Sequence, residues 1–460
     1  MFLPDARHGA PGLTMAVHMR TGLFAGGVLY ALGQGCSLLW QWLLLRYFGS
    51  QGYAEVGLAH LGLLTVLFLA DFGYASLFLR EDPRSAGWEL RWRQALAHRL
   101  LGTLVMALVL TAGAWWQWRG HGAGFEYVLA VLPAALFGMV SYSAPLLAKG
   151  CRLHGFAVQQ VAMPVAIVAW LALREHAGGA GGMWAGAAVS LGYLVQMLIN
   201  IAVFDKRLSL LLPCFGGLGM LGTALRLWLM GLAGTLHDRL TSLLLVAVAP
   251  TFLPMYLFLG YLLNGASGVL NQLSRLLLAE AYSETSERWV RALVSLILGL
   301  SALCAPLWLL AAARWGSPEH QVWRPLVGPV VVTGVLGLAS GVLSALLIGR
   351  NREAVLLKVL LFGLLCSAVL QAVAGACLAP QLLLWGRLLC IFAVAAVSLH
   401  MCGMSLNIGG QAALLSMLLA ATAYGLGTVG VVLSAILLLP VAGYAWRQRS
   451  LICVRPGGSW

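Results

Sequence analysis

The sequence predicts an all-α polytopic membrane protein of about fourteen transmembrane helices (range about 12–14), on three observations. Of 460 residues, 61% are apolar and 9% charged, more apolar surface than one soluble core could bury. Runs of about 20 apolar residues, each long enough to cross a bilayer, recur almost end to end. The polar breaks between them are short and leave no room for a large soluble domain.

Taken in order, a cytoplasmic tail over 1–21 is polar and interrupted by Pro4, Pro11 and Gly12, unlike a cleavable signal peptide, so the first span is expected to be its own uncleaved insertion signal. An N-terminal six-helix bundle, 22–204, has spans at 22–45, 53–79, 99–118, 125–148, 156–173 and 183–204. A connector over 205–220 opens on Asp205, Lys206 and Arg207. The C-terminal six-helix bundle, 221–402, has spans at 221–248, 251–278, 290–313, 325–348, 354–379 and 382–402. Two additional spans, 411–427 and 428–446, occupy the segment 403–446 before a cytoplasmic tail over 447–460. That last pair forms a thin hairpin or one long tilted segment, so thirteen helices is the alternative.

Topology follows from Lys and Arg, because loops rich in them resist translocation. With the N-terminus inside, the cytoplasmic segments hold Arg7, Arg20, Arg80, Arg84, Arg91, Arg93, Arg99, Lys149, Arg152, Lys206, Arg207, Arg288, Arg291, Arg350, Arg352, Arg447, Arg449 and Arg455. The opposite side holds Arg46, Arg119, Arg174, Arg314 and Arg324. Both termini are therefore expected inside a bacterial inner membrane. This asymmetry absorbs most of the net charge of +13, and the Trp residues crowd at span ends (Trp115, Trp116, Trp118, Trp315, Trp323, Trp446) as interface anchors. Nucleic acid is not an expected partner, since that would need a soluble basic face with stacking aromatics.

The nine cysteines lie mostly in apolar runs and never as CxxC, which reads as packing rather than metal or disulfide chemistry. No cofactor or metal is expected. Laid over itself at an offset of 200, the chain sets Leu43, Leu44 and Leu45 over Leu243, Leu244 and Leu245 and matches helix, short external turn and helix, which suggests an internal repeat of two bundles.

The stretch 32–73, LGQGCSLLWQWLLLRYFGSQGYAEVGLAHLGLLTVLFLADFG, resembles the opening two helices of the polysaccharide or O-antigen flippases. These belong to the multidrug/oligosaccharidyl-lipid/polysaccharide exporter superfamily. The resemblance is carried by Gly33, Gln34 and Gly35, by the turn Gly49, Gly52 and Tyr53, and by Ala70-Asp71-Phe72-Gly73 followed by Arg80-Glu81. In the second half, His237-Asp238-Arg239 and Tyr256 sit where the family often carries an acidic and basic pair and a tyrosine. The resemblance implies a carrier that moves an undecaprenyl-pyrophosphate-linked oligosaccharide to the periplasmic leaflet by alternating access. Its implied partners are that lipid-linked substrate, membrane lipids, H+ or Na+ as a coupling ion, and a complex with polysaccharide assembly proteins.

Ionisable groups at bilayer depth are the place to look for mechanism, because burying them is costly. Asp238, near the middle of the seventh span beside His237 and Arg239, is read either as a structural pair or as a cavity group holding Arg239 against an anionic substrate. Arg226 precedes His237 by eleven residues and so projects from the same helix face about 16 Å away, unless it snorkels to the surface. Arg387 carries the same two readings. Asp71 pairs with Arg80, caps packing between the bundles or serves, like Asp238, in cation coupling. Gln34 and Asn264, with Gln41, Asn271 and Gln272, join helices or bind sugar hydroxyls. His60 and His400 read as hydrogen-bonded packing groups.

Two other classes compete. A polysaccharide polymerase or ligase would need catalytic groups in a sizeable external loop, whereas the external connection 314–324 offers only Glu319 and His320. A multidrug or lipid II exporter of the same superfamily is the nearer alternative, but a lipid II carrier would place arginines in its first helices and none occurs between Gly22 and Leu45.

Overall fold

A computed structural model describes residues 11–78, 85–140, 157–203 apart from 177 and 179, 211–279, 318–350 and 352–403, together with 290, 293, 294, 297 and 298. Regular structure among the described residues is helical throughout. The expected spans at 411–427 and 428–446, and most of 290–313, lie outside them.

Helix α1 (Pro11–Ala70) has 60 residues, about 90 Å at 1.5 Å per residue and so far longer than one crossing. It is broken at Gly49, where φ is +69° and ψ −175°, a conformation glycine adopts without a Cβ penalty. The break falls in the turn expected between the first two spans. The second span does not run unbroken to residue 79: a turn at Asp71–Gly73, with Phe72 at φ 49° and Gly73 at φ 81°, separates α1 from α2 (Tyr74–Phe78).

α3 (Trp88–Trp118) starts eleven residues before the predicted span. The polar stretch before residue 99 reads as loop by hydropathy, yet Glu89, Leu90, Arg91, Gln94, Ala95 and Leu96 are strong helix formers. Trp88 and Trp92 fix the extra turns by stacking on each other, with ring centroids 6.0 Å apart, and packing on Phe78 and Ala224. α4 (Ala123–Met139), α5 (Ala162–Leu173), a 3-10 turn (Arg174–His176) and α6 (Gly181–Val203) complete the first half. The second half has α7 (Leu218–Val248), α8 (Leu253–Ala279), α9 (Pro318–Gly349), α10 (Glu353–Ala376) and α11 (Pro380–Met401).

The chain divides into two compact units, Met1–Trp228 and Leu229–Trp460, with the division inside α7. In the first, α4 packs along α6, α1 packs against α3, α4 and α5, and α5 packs against α6. Trp40, Tyr53, Tyr127 and Trp170 are fully buried there. Gly73 lies so close to α7 that an added Cβ would stand 2.5 Å from the carbonyl oxygen of Ala224. In the second unit, α9 and α10 pack against α11 and α8 packs against α9, around Leu336, Leu343, Leu347, Leu356 and Leu388. Arg350 and Arg352 donate to the carbonyls of Cys402 and Met401 at 2.9 and 3.0 Å, so these cytoplasm-assigned cations also answer the C-terminal dipole of α11.

The apolar faces left bare are those a bilayer would cover. On α3, Leu101, Leu104, Leu108 and Val109 are exposed, and on α10, Phe362, Leu365, Val369 and Val373, each set at helical spacing. Six described helices are long and apolar enough to cross a membrane. Trp115 and Trp116 stand exposed at the end of α3, and the Arg119 guanidinium lies 5.0 Å from the Trp116 ring centroid, as expected of an interfacial anchor.

Candidate functional site

Helices α7, α8, α10 and α11 bring polar side chains into the apolar interior of the second unit. Arg387, seven residues into α11, is 8% exposed. It does not snorkel to the surface. Its Nη1 donates to the hydroxyl of Tyr256 near the start of α8, and its guanidinium carbon lies 5.9 Å from the same ring's centroid. His237 on α7 is 7% exposed. Its Nε2 has no hydrogen-bond partner among the described residues. Arg239, two residues on, is half-buried, and its Nε is likewise buried without a partner among them.

One turn beyond His237, the hydroxyl of Thr241 donates to Oε1 of Gln371 at 2.7 Å, and Nε2 of Gln371 donates to Oγ of Ser367 at 2.7 Å. Thr241, Ser367 and Gln371 are wholly buried, so this chain ties α7 to α10 with its polar groups satisfied inside the unit. Ser367 and Gln371 are four residues apart and therefore share one face of α10. Sequence reasoning missed both. The available signal was an amide one helical turn from a hydroxyl inside an otherwise apolar span.

The first unit gives Asp71 a partner that the sequence reading did not name. Arg99 of α3 pairs with it, Arg99 Nε lying 3.1 Å from Asp71 Oδ1, and the expected pairing with Arg80 lies outside the described residues. The arginine side chain is 8% exposed and the aspartate 18%. Arg99 lies 5.7 Å from the Trp92 ring centroid, and the neighbouring Tyr74 hydroxyl is 2.5 Å from Nδ1 of His98. This ion pair joins the turn after α1 to α3, a bracing geometry. His60 is hydrogen-bonded as read, its Nδ1 2.6 Å from the hydroxyl of buried Tyr127, whereas His400 is exposed.

Among the other sequence-selected residues, Gln34 is half-buried on α1 and Asn264 is exposed on α8. The backbones of Arg226 and Asp238 are helical within α7, and their side chains lie outside the described set. Tyr53, from the turn that carried the resemblance, is fully buried and donates to Oε1 of Gln41 at 3.1 Å. Thus Arg387 and Tyr256 come together in the unit that also buries His237, while Gln34 and Asp71 belong to the other unit. No group of three or more metal-ligating side chains occurs among the described residues.

No protein-family model and no curated protein matches the sequence. Solved structures do match in fold. A MATE transporter in complex with MaL6 aligns with a TM-score of 0.55 at 15% identity, covering 87% of this chain and 97% of that one. A multidrug resistance MATE family transporter of the MOP superfamily, inward-facing, gives 0.55 at 14% identity over 82% and 94% of the two chains. A MOP superfamily transporter from Pyrococcus furiosus gives 0.53 at 15%, over 87% and 96%. The chain therefore has the helical membrane fold of the MATE transporters of the MOP superfamily.

Proposed function

We propose that the chain is a transporter that moves a lipid-linked oligosaccharide, an undecaprenyl-pyrophosphate carrier with its glycan, from the cytoplasmic to the periplasmic leaflet of a bacterial inner membrane. Alternating access is supported by the fold, since transporters that share it are known in inward-facing and outward-facing conformations.

The observation that carries the cargo class is the buried charge of the second unit. Within its described spans Arg387 is 8% exposed and Arg239 half-buried, and in the sequence Arg239 adjoins Asp238 and His237. A guanidinium held in the apolar interior favours an anionic guest such as a pyrophosphate. Arg387 is held by Tyr256 in a fixed orientation, and its planar fork matches phosphate oxygens. A cationic drug would be repelled by the same groups. A fold neighbour from Pyrococcus furiosus is described as having a binding pocket of reverse polarity that suggests a different function, which supports the idea that this fold serves differently charged cargo.

The second reading, multidrug export, is favoured by the description of two fold neighbours as multidrug resistance transporters. Deleting the chromosomal copy in its host and restoring wild type, Arg239→Ala, Asp238→Ala or Arg387→Gln separates the two. Loss of surface glycan in the variants, with the protein retained in the membrane, supports the flippase. Unchanged glycan together with altered drug resistance supports the exporter.

A further inference from the structure

A proline breaks the fifth span inside the bilayer. α5 has 12 residues, about 18 Å, against about 30 Å of hydrocarbon, so the interruption at its N-terminal end falls within the length of an apolar span that continues through Ala157. The helical residues 157–159 lead into a turn at Gln160 and Val161, and Pro164 lies four residues after Gln160. Proline has no N–H to offer the carbonyl four residues back, and its ring pushes that carbonyl aside. The bonds that remain, Gln160 N to Ala157 O at 3.1 Å and Val161 N to Val158 O at 3.2 Å, are the tighter three-residue type. The N–H groups of Ala162 and Met163 have no backbone acceptor among the described residues, and α5 has no side-chain cap.

The helix face that meets α5 carries a second unsatisfied group. Gly192 of α6 packs on the carbonyl of Ala162, an added Cβ there falling 2.2 Å from the oxygen. The short connection between α5 and α6 makes them antiparallel, so Gln196, one turn beyond Gly192, lies on the face of α6 that meets α5. Gln196 is 7% exposed and its Oε1 is buried without a partner among the described residues. From the other side, the Gln160 side chain presses on Gly33 of α1, filling the space a Cβ would occupy.

Irregular backbone at bilayer depth is tolerated where it faces a polar cavity, and broken helices of this kind form transporter binding sites. The break presents donors, the N–H groups of Ala162 and Met163, and the face of α6 that meets α5 carries an acceptor, Oε1 of Gln196. An anion cannot donate to Gln196 and a metal cation cannot accept from an N–H, whereas a hydroxyl does both. We infer that the break at Gln160–Met163, with Gln196, is a recognition site in the first unit for the hydroxyl groups of the cargo's glycan. The site rests on the reading of the chain as a carrier of lipid-linked oligosaccharide, and it assigns glycan recognition to the first unit and pyrophosphate recognition to the second.

The test uses full-length protein in nanodiscs and intrinsic tryptophan fluorescence. Two probes are titrated: the lipid-linked oligosaccharide pool extracted from the native host, and the same pool with its glycan removed to leave the polyprenyl pyrophosphate. Wild type is expected to bind the glycan-bearing lipid about tenfold more tightly, the worth of one or two well-made hydrogen bonds. Gln196→Leu removes the acceptor, and Pro164→Ala lets the helix close on its own N–H groups. Both are expected to bind the two probes equally, at the wild-type affinity for the glycan-free lipid. That retained affinity shows that each variant is folded. If either variant keeps the tenfold preference, or if wild type shows none, the break holds ordered water and the inference is overturned while the carrier reading stands. If wild type binds neither lipid, the carrier reading falls and takes the inference with it.

Discussion

Arg387 on α11 donates a hydrogen bond to the hydroxyl of Tyr256 on α8, and the arginine lies at 5.9 Å from the centre of the ring that orients it. A guanidinium 8% exposed in the apolar interior of the second unit keeps its charge at any accessible pH, so the surrounding fold must answer that charge or hold it ready for a guest. Tyr256→Phe keeps the ring and removes the oxygen. It should lower thermal stability by about 1–3 kcal/mol, the cost of an unmet buried donor, with a smaller loss of transport than Arg387→Gln. Thermal unfolding in detergent and glycan assembly in cells check the two parts. Equal loss of transport in both variants would show that the hydrogen bond, not the charge, is what the cargo needs.

Thr241 and Gln371 form the polar tie between α7 and α10. Thr241→Val alone leaves Gln371 Oε1 buried without its donor and should destabilise by about 1–3 kcal/mol. The double variant Thr241→Val with Gln371→Leu removes both partners and should cost less than the two single changes together. A double-mutant cycle by denaturant unfolding measures the coupling, and strict additivity would refute the tie.

Asp71 and Arg99 brace the turn after α1. Asp71→Asn keeps shape while removing charge from a pair that is mostly buried, and a loss of about 1–3 kcal/mol is expected. If the pair is purely structural, Asp71→Asn leaves transport per folded molecule unchanged and its pH dependence unmoved. A transport profile that loses its pH or Na+ dependence in this variant would instead assign Asp71 to cation coupling.

Gly73 has φ 81°, and a Cβ there would stand 2.5 Å from the Ala224 carbonyl and 3.0 Å from the Trp228 nitrogen. Gly73→Ala should therefore destabilise by about 1–3 kcal/mol through backbone strain and collision with α7. Gly35, where an added Cβ meets nothing within 4 Å, is the control, and Gly35→Ala should be near neutral. Parallel thermal unfolding of the two proteins checks the contrast.

The charge asymmetry places Ser85 and His320 on opposite sides of the membrane. In an otherwise cysteine-free chain, Ser85→Cys should resist a membrane-impermeant thiol reagent in intact cells and His320→Cys should react. Labelling of both from outside would contradict the topology.

Much of the helix plan was legible in hydropathy, because bilayer crossing imposes a length and a polarity that few other pressures imitate. The turn at Gly49 lay between two apolar runs where glycine punctuates the chain. The start of α3 was not legible, since residues 88–98 are polar by count and helical by propensity, and only packing of Trp88 and Trp92 on Phe78 decides between them. The site divided in the same way. His237, Arg239 and Arg387 were visible as ionisable groups within apolar spans, which are expensive enough to notice in one dimension. The pairing of Asp71 with Arg99 was not, because Arg99 is counted among the loop cations until α3 is extended through it. Gln371 and Ser367 are uncharged and cheap to bury when paired, so only tertiary structure reveals their bond to Thr241.

The most direct test of cargo and direction is leaflet exchange in proteoliposomes reconstituted with the purified chain and the host's lipid-linked oligosaccharide. Glycan exposed on the outer surface is measured with an impermeant glycan-cleaving enzyme. With the lipid loaded in both leaflets, an active carrier makes the inner pool accessible, and Arg387→Gln leaves about half of it protected. Equal protection in wild type, Arg387→Gln and protein-free vesicles would contradict the assignment of this chain as a flippase.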